Sequence, residues 1–132
     1  MTKLHLHRGL FLLLLITITA CSPGPREYGT LAGQVAIGPL VPVVREGEEE
    51  STPAPEVYAA REIVVYKQNG KTEFARLEIN STGWYQGELP VGVYVVDINH
   101  LGIDMAKGLP SEVVITAGAV TRVDIDIDTG IR

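Results

Sequence analysis

The sequence predicts an all-β fold, a single antiparallel β-sandwich of seven short strands. Apolar residues recur at every second position over short runs, which is the period of a strand with one buried face. Turn-forming glycine, proline and asparagine residues interrupt these runs about every ten residues, as in antiparallel sandwiches. No run after residue 30 has the period of a helix.

Residues 83–98 organise the predicted sheet, with the sequence G-W-Y-Q-G-E-L-P-V-G-V-Y-V-V-D-I. We expect two strands joined in a hairpin at residues 89–92. Tyr94, Val96 and Ile98 form the apolar row of the second strand. The other predicted strands cover residues 31–37, 61–66, 73–80, 112–116 and 120–128. Asn69-Gly70 predicts a hairpin turn, since both residues accept positive φ angles.

Residues 38–60 differ from the rest of the chain. Four prolines interrupt them, and residues 45–50 read R-E-G-E-E-E. We predict a solvated acidic insertion, which is either without function or a contact loop, since long loops in small domains are often functional or disordered. Its candidate contact residues are Glu48, Glu49 and Glu50.

The first 20 residues have the composition of a secretory signal peptide. Basic Lys3 and Arg8 precede a short apolar run, small residues follow, and then comes Cys21, the one cysteine of the chain. The apolar run is shorter than the ~20 residues that a transmembrane helix requires. We therefore predict a signal peptide at 1–20, a tether at 21–30 and the β-sandwich domain at 31–132.

The residues I-T-A-C at 18–21 resemble the bacterial lipobox. The resemblance implies that the Cys21 thiol carries diacylglycerol, that the chain is cleaved before it, and that its new amino group is acylated. Several acyl chains on one residue give stable anchoring without a transmembrane helix. The predicted location is the cell envelope, on a membrane outer leaflet or the outer membrane, with the membrane itself as a partner.

The charge and the cysteine content of the chain exclude some classes of ligand and an internal disulfide. Cleavage would remove Lys3 and Arg8 and no acid, which changes the net charge from −5 to −7. An acidic chain of this kind is not expected to bind nucleic acid or anionic lipid surfaces. With one cysteine, the domain has no internal disulfide and depends on its hydrophobic core.

Several short motifs carry a resemblance to a known family. They are T-G-W-Y at 82–85, L-P-V-G-V-Y at 89–94 and I-T-A-G-A-V-T-R-V-D-I at 115–125. In these the chain resembles the carboxypeptidase regulatory-like family, whose domains are transthyretin-like (prealbumin-like) sandwiches. The insertion at 38–60 stands where that family has a short turn. The resemblance implies a fold and little chemistry, because the motifs are structural glycines and core tyrosines.

The candidate ligand residues are few. Asp124, Asp126 and Asp128 share one face of the last predicted strand and are the candidate calcium ligands, but residues two apart on a strand are ~7 Å apart, too far to hold one ion alone. Trp84 is a candidate stacking residue for a sugar or a protein. We expect no metal site and no cofactor.

The sequence therefore predicts a non-catalytic interaction or structural module, since no nucleophile motif, second cysteine or glycine-rich phosphate loop occurs in it. Its partner would be an envelope protein or a glycan. The alternative function is a carbohydrate- or peptidoglycan-binding accessory domain that uses Trp84.

Overall fold

The computed structural model describes residues 24–43, 45–49 and 51–132. The predicted signal peptide and Cys21 lie outside the described residues. Within these ranges, no helix is both long enough and apolar enough to cross a membrane. The described residues form one short helix, α1 (Pro55–Ala59), and nine strands. The strands are β1 (Tyr28–Gly38), β2 (Glu62–Lys67), β3 (Glu73–Glu78), β4 (Trp84–Pro90), β5 (Gly92–Ile98), β6 (Met105–Ala106), β7 (Ser111–Ile115), β8 (Val120–Arg122) and β9 (Ile125–Asp128).

The strands form two sheets that share one core, which confirms the predicted β-sandwich. The first sheet has the order β4-β1-β9-β6, and β8 also pairs with β1. The second sheet has the order β3-β2-β5-β7. Both sheets contribute buried side chains to a single cluster, among them Leu31, Val35, Tyr85, Leu89, Ile63, Val65, Tyr94 and Val96. A core of alternating inward side chains is how a two-sheet sandwich is stabilised.

The predicted hairpin at residues 83–98 is wrong, because its two strands belong to different sheets. β4 pairs with β1, whereas β5 pairs with β2 and β7. Alternation of apolar residues records which face is buried and not which strand is the neighbour, so the pattern could not distinguish the two arrangements. The connection at residues 90–92 crosses from one sheet to the other, and the Tyr94 hydroxyl stabilises it by donating to the carbonyl oxygen of Pro90 at 2.7 Å.

The predicted all-antiparallel arrangement is also wrong, because β1 runs parallel to both β8 and β9. The last predicted strand, 120–128, is divided at Val123 and Asp124. The N–H of Val123 donates to the carbonyl of Ala32 at 2.9 Å. One residue later, the Asp124 carboxylate accepts the N–H of Gln34 at 2.9 Å. A side chain thus replaces a backbone acceptor where the ladder is interrupted.

Gly33 allows this crowded part of the sheet to form. It lies opposite Tyr85 in the β1–β4 pairing. The Tyr85 hydroxyl passes Gly33 and donates to the carbonyl oxygen of Val123 at 2.6 Å. A Cβ atom at Gly33 would overlap that oxygen and lie 2.9 Å from the Tyr85 ring. The absent side chain is therefore required by the approach of three chain segments.

The predicted insertion, residues 38–60, contains the helix α1, which the sequence analysis did not predict. Pro55 occupies the first helical turn, where its missing N–H costs nothing. Tyr58 is buried and belongs to the core cluster. A helix of five residues is marginal alone, so the burial of Tyr58 stabilises it. The end of the insertion is therefore part of the domain, and the exposed acidic residues precede it.

The sandwich has two ends, and the chain enters at one of them. The proximal end contains the start of β1, the β2–β3 turn at residues 68–72 and the β4–β5 connection at residues 90–92. The distal end contains the end of β1, α1, and the β5–β6 loop at residues 99–104. β1 connects the two ends over about 33 Å, at ~3.3 Å per residue. It begins at Tyr28, so the last three residues of the predicted tether, 28–30, belong to the fold.

We predict that Gly33→Ala lowers the free energy of unfolding by about 2–3 kcal/mol, because the new methyl group cannot be accommodated without moving Val123 or Tyr85. Urea unfolding of the purified protein measures this change. Gly24→Ala is the matched control, since a Cβ there meets no atom within 4 Å, and its effect should stay within about 0.5 kcal/mol. Equal stabilities of the two variants would contradict the role given to Gly33.

Candidate functional site

The three candidate calcium ligands are exposed, and two of them are already engaged by arginine. The Asp124 carboxylate accepts the backbone N–H of Gln34 and the Nε–H of Arg122. Both hydrogen bonds lower the pKa of Asp124, and the one from Gln34 has the larger effect. The pKa of Asp128 is lowered chiefly by Arg132, whose Nη2 lies 2.7 Å from its carboxylate. In the described ranges, no group of three or more His, Cys, Asp or Glu side chains is placed to hold a metal ion.

Trp84 lies on the outer face of the first sheet and is half-buried. The guanidinium carbon of Arg122 lies over its ring, 5.5 Å from the centroid, in a cation–π arrangement. The indole N–H donates to the Gln86 side chain at 3.3 Å. A sugar that stacked on the same face of the ring would have to displace Arg122, so this face is not an open platform.

The acidic loop is solvated where the structure describes it. Glu48 and Glu49 are exposed, and the N–H of Glu48 donates to the carbonyl of Arg45 at 2.9 Å in a local turn. Glu50 lies outside the described residues. The loop adjoins the distal end of the sandwich, because it follows β1.

A buried ion pair at the distal end was not predicted from the sequence. Arg61 donates to Asp104 twice, from Nε at 2.7 Å and from Nη2 at 3.1 Å. Its remaining nitrogen donates to the carbonyl of Val57 at 2.8 Å. The side chains are only 10% and 4% exposed. The two residues are 43 positions apart, so neither composition nor spacing relates them. The pair attaches the β5–β6 loop to α1 and to the start of β2.

His100 holds the beginning of the same loop. Its Nε2 lies 3.0 Å from the Asp97 carboxylate, and its Nδ1 lies 3.2 Å from the carbonyl oxygen of Asp104. The Asp97 hydrogen bond is the main cause that raises the pKa of His100 above 6.5, and the Asp104 carbonyl adds to it. His100 has a positive φ of 46°. The residue is therefore a structural member of a turn.

The loop held in this way presents large apolar side chains to solvent. Leu101, Ile103 and Met105 are 46%, 71% and 70% exposed, whereas Asp104 between them is buried. Exposed apolar residues that lie singly are ordinary, but three within residues 101–105, at the end of a fixed loop and the start of β6, form a surface that can bury area against a partner. We call these three side chains the distal apolar patch.

The proximal end carries an open groove of about 600 Å³. Phe74 and Tyr94 form its aromatic wall, with ring centroids 5.2 Å apart and planes tilted by 54°. Phe74 is the residue skipped by the irregular β2–β3 pairing next to Tyr66. The groove is lined by Pro25, Arg26, Glu27, Phe74, Pro90, Val91 and Tyr94.

Comparison with known proteins shows the fold. No protein-family model matches the chain, and no curated protein matches it by sequence. Among solved structures, the chain is similar to GBS52, the minor pilin of Streptococcus agalactiae, with a TM-score of 0.52 and 18% identity over 78% of this chain and 45% of that one. It is also similar to the Bacillus anthracis TIE protein, with a TM-score of 0.50 and 12% identity over 77% of this chain and 16% of that one.

A DUF3823 family protein from Parabacteroides merdae matches with a TM-score of 0.47 and 13% identity over 78% of this chain and 47% of that one. The chain thus spans less than half the length of each of these proteins. At such identities the likeness is one of fold alone.

We predict that Asp104→Ala lowers the free energy of unfolding by about 3–5 kcal/mol, because it leaves the buried Arg61 charge without its partner. Asp126→Ala is the control, since Asp126 is exposed, and should change stability by less than about 0.5 kcal/mol. The double substitution Arg61→Met with Asp104→Leu should recover most of the loss, as apolar replacements of buried pairs often do. The single variants Arg61→Met and Asp104→Leu complete the comparison. If the double variant loses as much stability as these two variants together, the two residues do not form a coupled pair.

We predict that protonated His100 stabilises the fold. Because its pKa is raised in the folded protein, this contribution is fully present below about pH 6.5 and is lost as the pH rises through the higher folded-state value. His100→Asn keeps a side chain that tolerates positive φ. The stability difference between the native protein and this variant should therefore shrink as the pH rises above 6.5. NMR titration of the imidazole should also show a pKa that falls in Asp97→Asn, and an unchanged titration would contradict the assignment.

Proposed function

We propose that this protein is a lipid-anchored, non-catalytic module of the cell envelope, held to a membrane through Cys21, that contacts another envelope protein through its distal end. The sandwich would be of the carboxypeptidase regulatory-like kind. The predicted lipobox supports the anchor, and the first strand begins seven residues after Cys21. The anchored domain would thus lie close to its membrane.

The observation that carries the proposal is the distal apolar patch. Leu101 and Ile103 are exposed on a loop that a buried ion pair and His100 hold in place, and the exposed Met105 begins β6 directly after it. Ordering a loop on binding costs free energy, and a loop that is already fixed avoids that cost. The patch also lies at the end of the sandwich opposite the start of β1, so an anchored domain would present it away from the membrane.

The acidic loop adds charge to the same end. Glu46, Glu48 and Glu49 are exposed there. Charged residues around an apolar centre are typical of protein interfaces, where they favour a complementary partner and a faster encounter. We therefore expect the partner to present basic residues around an apolar surface. The fold is similar to that of a minor pilin. The occurrence of this architecture in a pilin is compatible with the proposed role in the cell envelope.

Glycan binding through Trp84 is the alternative function. The position of Arg122 over the indole ring does not favour it. Tryptophan fluorescence across a panel of glycans would detect binding, because Trp84 is the only tryptophan of the chain.

We predict that replacing Leu101, Ile103 and Met105 together by serine reduces crosslinking of the acylated protein to its partner in intact envelopes by about tenfold, as for the loss of a binding hot spot. The matched control is Val114→Ser with Val120→Ser, which removes apolar side chains that are 58% and 67% exposed elsewhere on the domain. A third variant, with Glu46, Glu48 and Glu49 changed to glutamine, separates the charge of the loop from the apolar contact.

The proposal requires a crosslinked protein that the patch variant loses and the control retains. Equal crosslinking by both variants would place the contact outside the distal end. A shift in fluorescence with a glycan, together with unchanged crosslinking, would favour the alternative function.

A further inference from the structure

The groove at the proximal end has the composition of a surface that contacts a lipid bilayer. Phe74 and Val91 are 41% and 45% exposed, and Tyr28 nearby in the fold is 48% exposed. Aromatic and apolar side chains at this level of exposure are favoured where water meets acyl chains.

The proximal end has more basic than acidic side chains outside its Glu73–Arg76 ion pair, unlike the chain as a whole. Arg26 lines the groove, Lys67 ends β2 opposite Tyr94, and Lys71 lies in the β2–β3 turn. None of the three forms an ion pair with an acid in the described ranges. Two acids lie at this end, Glu27 in the groove and the exposed Glu88 opposite Thr30 of β1, whereas Glu73 is held by Arg76 at 2.8 Å. The net negative charge therefore belongs to the remainder of the domain, and it does not describe the proximal end.

The position of Cys21 determines what this end meets. Pro25 is the fourth residue after Cys21, so the two lie at most ~14 Å apart at ~3.3–3.6 Å per residue. We propose that the proximal face, formed by Arg26, Tyr28, Lys67, Lys71, Phe74 and Val91, binds the surface of the bilayer that holds the lipid on Cys21. This inference rests on the proposed anchor and goes beyond it, because it assigns the domain a fixed orientation on the membrane.

Anchoring makes even a weak contact of this kind effective. A short tether converts docking into an intramolecular event, with an effective concentration in the millimolar range. Each basic residue near an anionic leaflet adds about 1 kcal/mol, and the exposed aromatic side chains add burial in the interface. The docked domain points the distal apolar patch and the acidic loop away from the membrane.

Fluorescence quenching by brominated lipids tests the orientation. The full acylated chain is reconstituted in vesicles of phosphatidylcholine and phosphatidylglycerol whose acyl chains are brominated near the headgroups. The reporter is Phe74→Trp in a Trp84→Phe background, so that the single tryptophan lies in the proximal face. The native protein is the comparison, because Trp84 begins β4 about 20 Å from Pro90.

We expect quenching of the tryptophan at position 74 and little quenching of native Trp84. Changing Arg26, Lys67 and Lys71 to glutamine should reduce the docking equilibrium constant about fivefold for each charge removed, and the quenching should fall with the docked population. Added salt should have a similar effect, since it screens exposed charges. The matched control is Arg45→Gln with Lys107→Gln, which removes cations from other parts of the surface and should leave the quenching unchanged.

The outcomes separate this inference from the proposed anchor. A chain that fails to float with the vesicles overturns both. A chain that floats, but whose tryptophan at position 74 is quenched no more than native Trp84, overturns the docking and leaves the anchor intact. Quenching that is unaffected by the triple glutamine substitution also overturns the docking surface as assigned.

Discussion

The fold depends on the parallel pairing of its first strand with its last two. β1 occupies the middle of the first sheet, with β4 on one side and β8 and β9 on the other. The pairing closes only because Gly33 leaves room for the Tyr85 hydroxyl to reach the carbonyl oxygen of Val123. Burial and the nearby Asp124 carboxylate raise the pKa of Tyr85, so its hydroxyl keeps the proton that it donates. One missing side chain and one hydroxyl thus connect three strands.

The two ends of the sandwich differ in chemistry because different physical forces hold them. At the proximal end, aromatic rings cover the core, and the β2–β3 turn is shaped by Asn69, whose side chain accepts from the backbone of Lys71 and Thr72. At the distal end, a desolvated ion pair holds the loop against α1. Such a pair is expensive to bury and costly to break, so it specifies one loop conformation. The exposed acids of the loop at residues 45–49 lie at the distal end, whereas the proximal end carries Arg26, Lys67 and Lys71.

Local features of the fold could be predicted from the sequence, and long-range pairings could not. Alternation located most strands within a few residues, and Asn69-Gly70 marked a hairpin turn that the structure confirms, with Gly70 at a φ of 66°. The alternation of apolar residues does not show that β4 and β5 belong to different sheets. The parallel pairing of β1 with β9 could not be predicted either, because no sequence pattern relates two strands that lie 90 residues apart. At the candidate site, Arg61 and Asp104 looked like ordinary surface charges, and nothing near Trp84 in sequence indicated that Arg122 covers it.

The position of β1 also bears on the order of folding. Neighbouring strands that lie far apart along the chain cannot pair until the intervening residues are available. Synthesis starts at the amino terminus, so β1 emerges from the ribosome early, and β8 and β9 emerge last among the described strands. Its central place in the sheet therefore remains incomplete until residues 120–128 have emerged. The first sheet is therefore completed only after all of the described strands have been synthesised, and until then β1 lacks two of the strands that pair with it.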